Sequence, residues 1–196
     1  MSINAGNLNQ NPHPLDAVQA AIEAAALIKN TTESPNAQGA AYWRIARNFG
    51  GCAPHASSES FQNLAQTLLN ACPSVADALA ASVTRCGLSG YGHLLAKIIL
   101  DAIEQNPVVA ASGALRILAS TDCFTALGYA SPNSSGASDF ATKILQINGE
   151  LPPDSDGRPP ARLTPSEVGD MKSIAARKPK QAQTPTYNAT GSAYTL

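Results

Sequence analysis

The sequence predicts an all-α protein with a single helical core and an extended arm at each end. Only 5% of the 196 residues are aromatic, and much of the apolar content is alanine. Alanine favours closely packed helices, whereas strands are rich in bulky β-branched and aromatic side chains. Apolar residues also recur three or four positions apart, and the pattern predicts about seven helices. Because 44% of the residues are hydrophobic, a chain of this length can bury a core as one domain.

A polar N-terminal arm is predicted for residues 1–14, because they contain four Asn, two Pro and one Gln and little that can be buried. The helical core is predicted over residues 15–149. Its first helix starts at Leu15, where the apolar spacing becomes helical. Its second helix ends at the Gly50-Gly51 pair, since glycine adopts left-handed backbone conformations at little cost.

The middle of the core has the most regular helical patterns. A third helix is predicted from an apolar stripe that consists of Phe61, Leu64, Ala65, Leu68 and Leu69. A fourth is predicted after Pro73, where Ser74 resembles an N-cap and Asp77 lies near the positive end of the helix. The clearest amphipathic element spans residues 89–105, and its broad apolar face predicts a central position.

Two further helices complete the predicted core. One has Pro107 at its first position and carries apolar residues as far as Leu118. The last is predicted to be capped by Ser138 or Asp139 and to bury Phe140.

The composition changes beyond Gly149, and residues 150–196 are predicted to form a C-terminal extension. Five prolines between residues 151 and 165 favour an extended backbone there. A short helix is predicted near residues 164–177, because T-P-S-E at its start combines a capping residue, an N1 proline and an N3 glutamate. The remaining tail is polar, so we expect it to stay solvated until a partner docks it.

Charge is distributed unevenly although the net charge is only −1. This balance excludes a histone-like, polybasic mode of holding nucleic acid, so any such contact requires a local cluster. One basic cluster is present in the C-terminal extension, and its members are Lys172, Arg177, Lys178 and Lys180. Four such charges on a flexible tail can bind phosphates; the alternative is an ordinary solvated tail.

Enzymatic, metal-binding and membrane-spanning roles are not predicted. The four cysteines are interpreted as reduced, buried thiols, because the start of the chain lacks a signal peptide. Cys52 and His55 have the spacing of half a zinc site, but no recognised second pair completes it. The glycine run at residues 87–92 lacks a preceding strand and the dinucleotide-binding spacing, so no cofactor is predicted. Every apolar stretch is too short to cross a bilayer.

Three segments of the chain carry a family resemblance. They are A-A-Y-W-R-I-A-R-N-F-G at residues 40–50, H-L-L-A-K-I-I-L at 93–100 and L-T-P-S-E-V-G-D-M-K-S-I-A-A-R-K at 163–178. In this order they resemble coat proteins of flexuous filamentous plant viruses of the potexvirus kind. That family has a Trp-Ala-Arg helix, an Ala-Lys helix in mid-core and a Pro-x-Glu helix ending in Ala-x-Arg. Where it has an aromatic-rich Phe-Asp-Phe-Phe-type segment, this chain has only Asp139-Phe140.

The resemblance implies a structural coat protein that self-assembles into a helical filament around single-stranded RNA. The subunits of this homo-oligomer would be joined through their N- and C-terminal arms, and the protein would occur in the virion and the host cytoplasm. The RNA pocket of that family resembles a cluster of one Ser, one Arg and one Asp. The resemblance implies that Ser58, Arg85 and Asp139 bind RNA in this chain, with Arg116 as the alternative arginine. The alternative function is a non-viral helical interaction or adaptor module that binds a protein partner.

Overall fold

The protein is all-α, as predicted, in the part of the chain that the structure describes. A computed structural model describes residues 14–29, 35–51, 57–86, 90–130, 134, 136–150, 162–177, 186–187 and 193–194. The predicted arm before Pro14, together with Cys52, His55, Lys178 and Lys180, lies outside these residues. No described helix combines the length and the apolar character needed to cross a bilayer.

Ten α-helices make up the described fold. In chain order they are α1 (Pro14–Lys29), α2 (Pro35–Phe49), α3 (Ser58–Ala71), α4 (Ala76–Ser82), α5 (Tyr91–Gln105), α6 (Pro107–Ala110), α7 (Ala114–Leu118), α8 (Thr121–Ala126), α9 (Ala137–Glu150) and α10 (Pro165–Ala175). Two 3₁₀ turns flank α4, at Pro73–Val75 and Val83–Arg85. A two-residue antiparallel pairing joins β1 (Thr186–Tyr187) to β2 (Ala193–Tyr194), with Thr186 opposite Tyr194.

Helix α5 lies at the centre of the core, because α3, α4, α6, α7 and α9 all contact it. Its apolar residues cover most of its circumference, and Leu95, Ile99 and Ile103 are among its buried side chains. The start of α5 joins the ends of two other helices through aromatic rings. The Phe61 ring centroid lies 4.7 Å from that of Phe49 and 5.0 Å from that of Tyr91. These contacts place the C-terminus of α2 beside the starts of α3 and α5.

The predicted helix from Pro107 to Leu118 is in fact two short helices, α6 and α7. Ser112 separates them, because its hydroxyl donates to the Val109 carbonyl at 2.6 Å and accepts from the Ala114 N–H at 3.2 Å. These two bonds satisfy backbone groups at the end of α6 and the start of α7. Helix α8 was not predicted, since its six residues are too few to display a helical period.

Two predicted caps are wrong. Ser74 lies inside a 3₁₀ turn, and Val75 occupies the N-cap position of α4 with no side-chain hydrogen bond. Helix α9 starts at Ala137, so Ser138 and Asp139 lie within its first turn. The Ser138 hydroxyl instead donates to the Ala175 carbonyl at 2.7 Å and ties α9 to α10.

The hydrophobic core extends beyond the predicted end at residue 149, because α10 packs along α9. Leu163 and Met171 are buried in the same core cluster as the helices before them. The Leu163 N–H also donates to Asn148 Oδ1 at 2.8 Å. Helix α10 is therefore part of the folded core rather than a separate island in a solvated tail.

Candidate nucleic-acid interface

Arg85 is exposed and held in a defined position at the end of α2. Its Nη1 donates to the Arg47 carbonyl at 2.7 Å. That carbonyl belongs to the last turn of α2, whose terminal carbonyls lack intrahelical partners and carry partial negative charge. Because a guanidinium has five N–H donors, this bond leaves others available for a phosphate. No acidic side chain pairs with Arg85 within the described residues.

The position of Arg85 depends on a tight junction between α2 and α4. Ser82 is buried, and its hydroxyl shares its one proton between the carbonyls of Ala46 and Ala78. Gly50 lies against this junction, since a Cβ added to it would come within 2.4 Å of the Ser82 carbonyl oxygen and 2.9 Å of Arg85 Cβ. The absence of a side chain at Gly50 therefore lets the 3₁₀ turn with Arg85 approach the end of α2.

Arg116, the alternative arginine, is already paired. Its Nε and Nη2 donate to Glu167 Oε1 at 3.2 and 3.1 Å, and Nε also contacts Oε2 at 3.3 Å. Glu167 completes the predicted capping box of α10, because its Oε2 accepts from the Thr164 N–H while the Thr164 hydroxyl accepts from the Glu167 N–H. This pair therefore fastens α10 to α7.

Replacing Glu167 by glutamine is expected to destabilise the protein at pH 7, and to matter less in acid. The hydrogen bond from the Thr164 backbone lowers the pKa of Glu167 from its ordinary 4.5; burial opposes this, and Arg116 assists it. A carboxylate with a lowered pKa in the folded state stabilises the fold above its unfolded-state pKa and loses this contribution as pH falls through the lowered value. Because Arg116 is 50% exposed, we expect a difference of about 1 kcal/mol or less.

Urea unfolding of both proteins between pH 7 and pH 3 measures this difference. The difference in the free energy of unfolding should have its full size above pH 4.5 and become smaller below that pH. Asp170→Asn is the matched control, since Asp170 lies on the same helix and pairs with no described basic side chain. A difference that stays constant across the series contradicts the assignment.

Ser58 and Asp139 do not join Arg85 in one constellation among the described contacts. Ser58 is the exposed first residue of α3, and its neighbour Ser57 is the N-cap, whose hydroxyl accepts from the Ser60 N–H at 3.2 Å. Asp139 forms no hydrogen bond or ion pair with Arg85, so the Arg47 carbonyl holds the guanidinium instead of a carboxylate. No described contact joins these three residues, and the pocket that the resemblance implies stays a prediction.

Asp139 lines a cavity of about 430 Å³ between α5 and α9. The wall from α5 includes His93, Lys97 and Asp101, and Tyr129 lies between the helices. Burial, and then the negative charge of Asp139, raise the pKa of Tyr129. The phenol therefore stays protonated and available as a hydrogen-bond donor at neutral pH.

The basic cluster of the C-terminal extension is only partly described. Lys172 is exposed on α10, and Arg177 is exposed just after it. Arg177 lines a second cavity, of about 380 Å³, which α10 forms with α8 and which also contains Asp170. The other two members, Lys178 and Lys180, lie outside the described residues. Phosphate binding by this cluster remains a prediction.

Three residues of α2 extend the candidate interface, and they were not among the residues predicted from the sequence. Trp43, Arg44 and Arg47 are exposed on the outer face of the helix. The Arg47 guanidinium carbon lies 5.4 Å from the centroid of the Trp43 ring, a cation–π contact between residues four apart. The W-R-x-x-R spacing was the available signal, because it places both residues of this contact on one helical face.

Two of the described cysteines are poorly placed for nucleophilic chemistry. Cys86 and Cys123 are buried thiols outside any disulfide, and burial raises the pKa of each to about 12. A thiol with such a pKa is almost entirely protonated at neutral pH, whereas the thiolate is the reactive form. Within the described residues, no group of three or more His, Cys, Asp or Glu side chains is arranged to hold a metal ion.

No protein-family model matches the chain, and neither a curated protein nor a solved structure matches it.

Proposed function

We propose that this chain is a structural coat protein that assembles into a helical filament around single-stranded RNA, as its resemblance to filamentous plant-virus coat proteins implies. The observation that carries the proposal is the contrast between its two candidate arginines. Arg116 is paired with Glu167, whereas Arg85 is exposed, oriented by the Arg47 carbonyl and without a carboxylate partner among the described residues. Arg85 is therefore the arginine that we assign to the RNA backbone.

A fixed guanidinium suits a coat protein because it positions an RNA strand without catalysing a reaction. Arginine binds phosphate through two parallel donors, so its orientation sets the path of the backbone. Each subunit needs only a few such contacts, since a filament repeats them along the same strand. The net charge of −1 is therefore compatible with RNA binding. Head-to-tail contacts that do not close into a ring generate the filament.

The proposal includes the arms and the location of the protein. The segments before α1 and after α10 would dock on neighbouring subunits, and polar segments of this kind gain order when a partner covers them. The assembled particle would be the virion, formed in the host cytoplasm. The core from α1 to α10 would then serve as the repeated body of the filament.

Arg85→Gln is expected to weaken RNA binding and disturb assembly, whereas Arg116→Gln should leave the salt dependence of binding unchanged. Each lost phosphate contact on a single strand flattens the log–log dependence of affinity on salt by about 0.7. Removing all four charges at Lys172, Arg177, Lys178 and Lys180 should flatten it by up to about 3 if each contacts phosphate. Fluorescence anisotropy of a labelled U₁₂ RNA measures the slopes.

Negative-stain microscopy with and without RNA tests the assembly itself. We expect long flexible filaments from the unaltered protein and from Arg116→Gln. The Arg85→Gln variant should form few or irregular filaments. Circular dichroism of each variant checks that its helices remain formed. Monodisperse particles under all conditions, together with an unchanged slope for Arg85→Gln, would refute the coat-protein proposal and favour an adaptor module.

A further inference from the structure

Trp43 is a large apolar side chain on the outside of the molecule. Its exposed fraction is 43%, and among the described residues Val108 is the other large hydrophobic residue that is comparably exposed. The opposite face of α2 already supplies the core contacts of this helix, through Tyr42, Ala46 and Phe49. Exposed tryptophans with an ordered neighbour are typical of binding surfaces, since an indole offers a broad, rigid contact area.

Positive charge lies beside the ring, because the Arg47 guanidinium contacts it, and no described acidic side chain forms an ion pair with this arginine. Arg47 contacts Trp43 through its guanidinium and Arg85 through its carbonyl, so the three residues form one connected surface. Arg44 is exposed on the same helix. Helix α2 has no acidic residue, and neither described ion pair involves these arginines. We call Trp43, Arg44, Arg47 and Arg85 the Trp43 surface.

The composition of the Trp43 surface fits a single-stranded nucleic acid better than a protein. Such strands present alternating bases and phosphates, which proteins bind with aromatic rings and arginines. A protein interface needs a larger apolar centre than one ring, and the other exposed residues on this side of α2 are small or polar, such as Ala40 and Asn48. The guanidinium groups of this surface form no ion pair with a described acidic side chain, and they supply the charge complementarity that phosphates require.

We infer that the ring of Trp43 stacks on a base of single-stranded RNA while Arg44, Arg47 and Arg85 contact the adjacent phosphates. This inference rests on the proposed RNA-binding function and adds a base-stacking site to it. Because any base presents a flat π face, the site is expected to accept all four bases.

Trp43 provides its own probe, because it is the single tryptophan of the chain. Titration with U₁₂ should quench its fluorescence in parallel with the rise in anisotropy of the labelled RNA. Trp43→Leu should weaken U₁₂ binding about 5- to 150-fold, the range typical of one lost stacking contact. Trp43→Phe should restore part of the affinity, since phenylalanine retains a smaller stacking surface.

Binding to a 12-nucleotide RNA strand without bases distinguishes the contribution of base stacking from that of charge. Trp43→Leu should leave its affinity unchanged, whereas Arg47→Gln should weaken both the abasic strand and U₁₂. Val108→Ala is the matched control, because it removes the other exposed large side chain from a different helix and should change neither affinity.

The outcomes distinguish this inference from the proposed function. Binding of U₁₂ without a change in tryptophan emission would overturn stacking and leave RNA binding intact. Failure of the unaltered protein to bind U₁₂ would overturn both. Emission that shifts with protein concentration alone, and does not respond to RNA, would show that a second copy of the chain covers Trp43 and would also overturn the inference.

Discussion

Replacing Gly50 by alanine is expected to destabilise the protein by about 3 kcal/mol, the upper part of the range for an overfilled core. The added Cβ would lie 2.4 Å from the Ser82 carbonyl oxygen, far inside contact distance. That carbonyl cannot retreat easily, because the buried Ser82 hydroxyl is bonded to two other carbonyls, from α2 and from α4. The two elements must therefore separate, and this movement also disturbs the bond from Arg85 to Arg47.

Gly39→Ala is the matched control for this prediction, because Gly39 lies in α2, the helix that ends just before Gly50, and has nothing within 4 Å of an added Cβ. Alanine in a helix interior is more favourable than glycine by about 0.5–1 kcal/mol, so this variant should be more stable than the unaltered protein. Urea unfolding followed by circular dichroism measures both. A decrease of equal size in the two variants would show that the clash at Ser82 is not the cause.

A Gly50→Ala protein that is still folded should also bind RNA more weakly than the stability loss explains. The reason is that Arg85 belongs to the 3₁₀ turn that packs against Gly50. Comparing its U₁₂ affinity with that of Arg85→Gln under conditions where both are folded tests this link. An affinity equal to that of the unaltered protein would show that the junction does not position Arg85.

Phe61→Ala is expected to cost about 3–5 kcal/mol, the range for truncating a buried aromatic side chain. Phe61 is completely buried, and its ring contacts Phe49 of α2 and Tyr91 of α5. Its removal leaves a cavity where three helices meet, and the rigid helix ends cannot close around it. Thermal and urea unfolding should both reveal the loss.

Two variants calibrate the effect of Phe61→Ala. Phe61→Leu keeps most of the apolar volume and should lose much less stability, whereas Gln62→Ala changes an exposed neighbour and should stay within about 0.5 kcal/mol. If Phe61→Ala loses no more stability than Gln62→Ala, the ring cluster is not the centre that joins the three helices.

Regular helices were predictable because their signal is local. The five residues proposed for the third helix stripe are the buried residues of α3, and the predicted capping box at Thr164 and Glu167 is formed. Both patterns depend on residues three or four positions apart, which any helix brings together. The short helices could not be predicted in this way, because α6, α7 and α8 have only four to six residues each. Their boundaries depend on the hydroxyl groups of Ser112 and Ser120.

The candidate site was predictable only in part. The resemblance implied Arg85 with Arg116 as the alternative, and neither has a local sequence pattern that reveals its partner. Their partners are 38 and 51 positions away, at the Arg47 carbonyl and the Glu167 carboxylate. The tight approach of Gly50 to Ser82 is likewise invisible in the sequence, because it depends on how α2 and α4 cross.

By itself, the sequence determined the all-α class, the position of the long helices and the faces that they bury, because helical periodicity and capping act over a few residues. Tertiary structure decided that α10 belongs to the core, that Arg116 is paired with Glu167 and that Arg85 is oriented by the Arg47 carbonyl. These outcomes result from contacts between distant segments, which form only when a common core brings those segments together.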